Sequence, residues 1–137
     1  MIAYLDTSSL VKLYVEERGS REVRQVIADA DVVATASIAY AELRATLARL
    51  RHEAGLSPSA HAALRRQVDM DWPALFVLPL SDSISRTAGD LADRFELRGF
   101  DAIHLASFVE VLARANDEDV QFSSFDDRLN RAARKLA

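Results

Sequence analysis

The chain has 137 residues, half of them hydrophobic, with 17 basic and 21 acidic side chains for a net charge of −4, and no cysteine. That length and apolar share suit one domain, 1–137, with a core of its own, and the missing thiols exclude disulfides, thiolate metal sites and cysteine nucleophiles. The acidic balance excludes a protein that coats nucleic acid through clustered positive charge, while leaving room for a nuclease with an acidic centre and a basic rim.

No run approaches the roughly 18 apolar residues of a membrane span, and no basic region followed by a long apolar run opens the chain. A soluble, cytoplasmic protein with no membrane contact is expected. Fifteen of the 17 basic residues are Arg, with Lys only at Lys12 and Lys135. This reflects either the codon bias of a GC-rich genome or a use for bidentate pairing with phosphate and carboxylate.

Short apolar runs at Ile2–Leu5, Val32–Thr35, Phe76–Leu80 and Val120–Ser123 read as strands. Between them the pattern predicts helices over Ser8–Val15, Ser20–Asp29, Ser37–Glu53, Ser59–Met70, Asp82–Leu97, Asp101–Ala115 and Asp127–Lys135, many opening on Ser or Asp as an N-cap requires. Gly55 is expected to close one helix, and Ser57 with Pro58 to cap and start the next, giving an antiparallel helical pair. Strands separated by long helices predict an α/β fold, with a short parallel sheet flanked by crossover helices.

Open α/β sheets bind ligands beyond the carboxyl ends of their strands. Asp6, which ends "IAYLD", is therefore either an N-cap for the helix after it, a lining of the cleft, or both. Glu42 in "AYAELRATL" has apolar neighbours on nearly every side, so it either reaches solvent or needs a cation: it is a solvated residue paired with an arginine such as Arg49, or a second candidate carboxylate for the site. In "FDAIHLASFVEVL", Asp101, His104, Ser107 and Glu110 recur every three residues, one polar stripe on an apolar helix that must open onto solvent or a polar cleft. Asp101 is either a cap or a functional carboxylate. A lone His104 without a paired-histidine pattern reads as a hydrogen-bonding neighbour rather than a metal ligand.

After the fourth strand, Ser124 and Asp126 are two apart and can share a side, with Asp127 turned outward in the first turn of the last helix. Asp6, Glu42, Asp101 and Asp126 thus fall at two strand ends and on two helices that can converge on one cleft, where four carboxylates would repel one another unless a cation intervened. Oxygen ligands suit Mg²⁺, or Mn²⁺, better than zinc. Such a centre activates water and neutralises a phosphodiester, which points to hydrolysis of a nucleic-acid backbone.

"YLDTSSLVKLY", the isolated Glu of "AELRATL", "LRGFDAIHLAS" and "SSFDDRLNRAA" together resemble the PIN domain, in particular the VapC toxins of type II toxin–antitoxin systems. The resemblance spans almost the whole chain. It implies a sheet of four to five strands, the fifth in doubt because the sequence reaches Ala137 just after its last helix, and an acidic metal set of Asp6, Glu42, Asp101 and Asp126. It places Ser8 beside the first Asp, and Ser124 where relatives commonly have Thr. It also implies an Mg²⁺-dependent endoribonuclease acting on tRNA, rRNA or mRNA, dimeric, silenced by a VapB-type antitoxin and reaching operator DNA only through that antitoxin. Arg44, Arg49, Arg94 and Arg98 are candidate phosphate contacts. The competing expectations are a phosphoacceptor receiver-like module, which would need a second acidic residue after Asp6 and a lysine on a late strand, and a catalytically idle PIN domain that only binds partners.

Overall fold

The computed structural model describes residues 1–137. Its central strand, β1 (Ile2–Leu5), is apolar on both faces and buried on both: Tyr4 joins one core, and Ala3 and Leu5 join the other. Side chains alternate along a strand, so only an inner strand covered on two sides asks for such a sequence. β2 (Val32–Ala36), β3 (Phe76–Leu78) and β4 (Val120–Ser123) complete a four-stranded sheet in the order β3-β2-β1-β4. Every pairing is parallel.

Seven helices cover the faces: α1 (Thr7–Val11), α2 (Ser20–Asp29), α3 (Ile38–Glu53), α4 (Pro58–Asp71), α5 (Asp82–Phe95), α6 (Gly99–Arg114) and α7 (Asp127–Leu136). On one side Tyr4, Ala34 and Leu78 meet Ile84 and Leu91 of α5, Leu105 and Phe108 of α6, and Leu129 of α7. On the other, Ala3 and Leu5 meet Leu10, Val23 and Ala39. A third cluster of Val11, Leu43, Leu47 and Val68 fastens α4 to α3 and α1. No helix is long and apolar enough to cross a membrane.

Local chemistry explains most of the element boundaries. Ser57 caps α4 by accepting from the Ala60 N–H, with Pro58 in the first turn, and Gly55 turns the chain after α3 at φ +67°, a conformation that favours glycine. Most element ends fall within two residues of expectation, and three that differ have a visible cause. α1 stops at Val11 rather than Val15, because the N–H groups of Lys12, Leu13 and Tyr14 bond carbonyls three residues back and tighten the turn. β3 ends at Leu78, where Pro79 has no N–H to offer the ladder, and Leu80 N–H turns to the Ser37 hydroxyl. α6 starts at Gly99 with extended Arg98 as its N-cap, so Asp101 is the third residue of the helix and the cap reading for it is overturned. The sheet has four strands and no fifth.

From β1 the chain builds outward through β2 to β3, then returns to place β4 on the opposite flank of β1. The strand order reverses between β1 and β4, and the crevice of a parallel α/β sheet opens at that point. Asp6 follows β1 and Ser124 follows β4 directly. Their ladder continues past both strands, through the Asp6 N–H to the Ser123 carbonyl at 3.1 Å. On the other flank Thr35, wholly buried, donates its hydroxyl to the Leu5 carbonyl at 2.7 Å. That bond pins the end of β1 beside the crevice. Thr35→Val keeps the shape but strands a buried acceptor, so the unfolding free energy should fall by about 1–2 kcal/mol. Urea denaturation checks this, with a lower midpoint at unchanged slope.

Candidate active site

Asp6 is 4 % exposed, and a carboxylate so buried needs donors. It has three. Oδ1 accepts from the Ser8 hydroxyl at 2.6 Å and the Ser9 N–H at 3.1 Å, while Oδ2 accepts from the Ser124 hydroxyl at 2.6 Å. The cap and cleft readings of Asp6 are therefore compatible, since one oxygen caps α1 and the other reaches across to the end of β4. Ser8 and Ser124 pass the constraint onward: Ser8 Oγ accepts from the Phe125 N–H, and Ser124 Oγ from the Asp126 N–H. Behind them the hydroxyls of Ser9 and Ser123 bond at 2.9 Å.

Glu42 is not paired with Arg49, whose guanidinium donates to Thr46 instead. Its Oε1 accepts from the Thr7 hydroxyl at 2.6 Å and from His104 Nε2 at 2.8 Å. The other ring nitrogen of His104, Nδ1, lies 2.9 Å from the Tyr4 hydroxyl. Burial pushes the Tyr4 phenol well above its ordinary range, so Tyr4 keeps its proton and donates it to Nδ1, leaving Nε2–H to donate to Glu42. Burial acts to raise the Glu42 carboxyl, but the hydrogen bonds from His104 and Thr7 outweigh it, and the net direction is down. Glu42 is thereby held ionised and oriented.

The stripe on α6 is less open than its spacing suggested: His104 and Ser107 are buried, the first turned to Tyr4 and Glu42, the second donating back to the Ile103 carbonyl. Only the ends of the stripe reach the surface, Asp101 at the crevice and Glu110 with Arg114. Asp126 caps α7 through Oδ1, which accepts from the Leu129 N–H at 3.1 Å, and is half-buried, whereas Asp127 is exposed. Asp101 registers this company. Its carboxyl is raised from the ordinary 3.8, first by burial, then by the negative charges of Asp126, Asp6 and Glu42. Four acidic residues from four separate parts of the chain thus share one electrostatic environment.

Two open clefts meet there. One, of about 460 Å³, is lined by Glu42, Arg98, Gly99, Phe100 and Asp101. The other, of about 450 Å³, runs past Thr7, Ile38, Glu42, Thr46, Arg49 and Phe100. Of the candidate phosphate contacts, Arg98 and Arg49 line these clefts. Arg44 is bonded to the Tyr40 hydroxyl and lies over that ring, and Arg94 stands in a separate cleft with Arg128, Arg131 and Lys135. Tyr4, Thr7 and Ser9 are the site residues that the sequence reading did not single out as functional. The one signal for Thr7 was the run of hydroxyls after Asp6; Tyr4 looks like any core aromatic.

The sequence profile described as PIN domain matches residues 3–135, nearly the entire chain. The chain belongs to the PIN-domain family. Among curated relatives, Ribonuclease VapC45 of Mycobacterium tuberculosis (strain CDC 1551 / Oshkosh) and Ribonuclease VapC49 of the same species (strain ATCC 25618 / H37Rv) are each 33 % identical over 132 residues. Those alignments cover 96 % of this chain and 89 % of each relative, which places this PIN domain with the VapC proteins. Solved structures share the fold at lower identity. FitAcB from Neisseria gonorrhoeae matches at TM-score 0.71 and 18 % identity, covering 98 % of this chain and 94 % of its own. Mycobacterium tuberculosis VapC20, described as a sarcin-ricin loop cleaving toxin, matches at TM-score 0.68 and 17 % identity, covering 95 % and 94 %. The receiver-like alternative is set aside: Thr7 follows Asp6, β4 carries no lysine, and the family is that of PIN domains.

No three histidine or acidic side chains of this PIN domain stand close enough to grip a metal as they are placed. The donor chemistry nonetheless fits a hard divalent cation. The four carboxylates Asp6, Glu42, Asp101 and Asp126 supply oxygen donors only, and the repulsion felt by Asp101 is the kind a cation relieves. Without one, the raised Asp101 carboxyl is a cost. The folded state holds that proton more tightly than the unfolded chain does, so its contribution to stability is complete below pH 3.8 and is lost as pH rises through the raised value. In EDTA at pH 7, Asp101→Asn should melt a few degrees above wild type, with the gap closing toward pH 4. Thermal denaturation from pH 4 to 8 checks it, and parallel curves would contradict it.

Proposed function

We propose that this PIN domain is a metal-dependent endoribonuclease of the VapC toxin type, cutting RNA phosphodiester bonds and held in check by a cognate antitoxin. The observation that carries the reading is the shared electrostatic environment of Asp101, Asp126, Asp6 and Glu42 at the reversal point of the sheet. The ribonuclease names of the relatives at 33 % identity support RNA as the substrate, in the form of tRNA, rRNA or mRNA. A toxin–antitoxin complex from Klebsiella pneumoniae, similar in fold at TM-score 0.61, supports a VapB-type antitoxin as partner. A cytoplasmic homodimer that meets operator DNA only through its antitoxin completes the proposal.

Asp6, Glu42, Asp101 and Asp126 are the residues that would hold one or two Mg²⁺ ions, or Mn²⁺ in their place. When bound, the metal supplies a water nucleophile at neutral pH and neutralises charge on the phosphodiester. The chain's own residues do the positioning. Ser8, Ser9 and Ser124 fix Asp6, while Tyr4 sets the tautomer of His104, which with Thr7 orients Glu42. Arg98, at the rim of the cleft that Glu42 and Asp101 line, is placed to meet a backbone phosphate as a bidentate donor.

The test is cleavage of RNA by protein freed of antitoxin, with Mg²⁺ and with EDTA. EDTA should abolish cleavage. His104→Gln, acting only through Glu42, should cost about 10–100-fold, and Asp6→Asn more than that. Cleavage that survives both Asp6→Asn and EDTA would sink the proposal.

A further inference from the structure

Phe100 stands between the two clefts that share Glu42, lining both. It is the second residue of α6 and directly precedes Asp101. The residue is 59 % exposed, more than Phe76 or Phe125. Phe125, which likewise precedes a crevice carboxylate, has structural company: the Lys12 ammonium lies 4.3 Å from its ring centroid, and its ring edge is where a side chain on Gly19 would have to go. Phe100 has none, as no aromatic ring or cation lies against it. Gly99 beside it leaves open space where a Cβ would be. Packing therefore does not explain an aromatic at this position.

Each cleft also carries one arginine, Arg98 on the Asp101 side and Arg49 on the Thr46 side. A flat apolar face between two cations, beside an acidic centre, is complementary to one kind of occupant: an unpaired nucleobase with a phosphate on either side. Resting on the ribonuclease reading above, we propose that Phe100 is the stacking platform for an unpaired base next to the scissile phosphate, so that the strand crosses from the Arg98 cleft to the Arg49 cleft over its ring. Aromatic stacking accepts any base, because each has a π-face. The contact thus selects for single-stranded, splayed-out RNA rather than for a sequence.

The probe is a single-stranded oligoribonucleotide, with fluorescence anisotropy in EDTA as a binding readout that needs no cleavage and initial rates in Mg²⁺ as the kinetic one. Phe100→Ala should weaken binding and raise KM about tenfold or more, with kcat changed far less. Phe100→Trp should bind at least as tightly as wild type. Phe100→Leu, which keeps apolar bulk without a π-face, should behave like Ala. Removing a base to leave an abasic site in the tract that wild type protects should weaken wild type and leave Phe100→Ala nearly unaffected, as coupled partners require.

Unchanged affinity for Phe100→Ala, or equal abasic losses in both proteins, would overturn the proposal. So would a loss in Phe100→Ala confined to self-association or antitoxin binding by sedimentation, which would assign the ring to a protein interface. A wild type that binds through Phe100 yet cuts nothing with Mg²⁺ would support the platform while refuting the nuclease, so the two readings fail separately.

Discussion

The arrangement depends on a single buried carboxyl group. Asp6 is nearly sealed from solvent, and three donors from the chain converge on it, two from the start of α1 and one from the turn after β4. Those donors are not free to be elsewhere, since Ser8 and Ser124 each also receive a backbone N–H from the Phe125–Asp126 turn. The carboxylate thereby fastens the end of β1, the start of α1, the end of β4 and the start of α7 into one unit. That unit spans the place where the strand order reverses. A charge that would cost several kcal/mol if left unpaired becomes the knot between the first and last elements of the fold.

Thr7, the very next residue, starts a second network toward the opposite side. Its hydroxyl and His104 hold Glu42, and Tyr4 of the same strand holds His104. Two consecutive residues, Asp6 and Thr7, thus anchor two carboxylate-holding networks, one running to β4 and one to α3 and α6. No buried side-chain polar atom is left without a partner. Such completeness matters because a half-satisfied polar network inside a protein is worse than an apolar core. It also accounts for the middle of α6: His104 and Ser107 lie within the protein, with their polarity absorbed locally, and only Asp101 faces the crevice.

Much of this was legible in the sequence. A strand apolar on both faces ending in a carboxylate, an isolated Glu on an apolar helix, and an Asp opening the most apolar helix each follow from local pattern, as do the alternating strands and helices. What failed to be legible was register and partner choice. Glu42 reads as an ion-pair partner of Arg49 because helical spacing permits it, yet Thr7 and His104, 35 and 62 residues away in sequence, are brought to it by the sheet. Asp101 looks like a cap because the side-chain stripe begins there, but extended Arg98 lets the helix start two residues earlier without any side-chain cap. Local chemistry shows which residues are unusual, and tertiary geometry decides which of them meet.

The bonds to Asp6 also limit how it can be approached. A carboxylate offers about four lone-pair directions, two on each oxygen. Ser8 and Ser9 occupy both on Oδ1, and Ser124 takes one on Oδ2. One direction remains, on Oδ2. Asp6 would therefore offer a positive group in the crevice one lone-pair direction on one oxygen, in contrast to the two-oxygen grip that large cations such as Ca²⁺ often take from carboxylates. In this way three serine donors, none of which need touch a ligand, would limit how Asp6 could hold one.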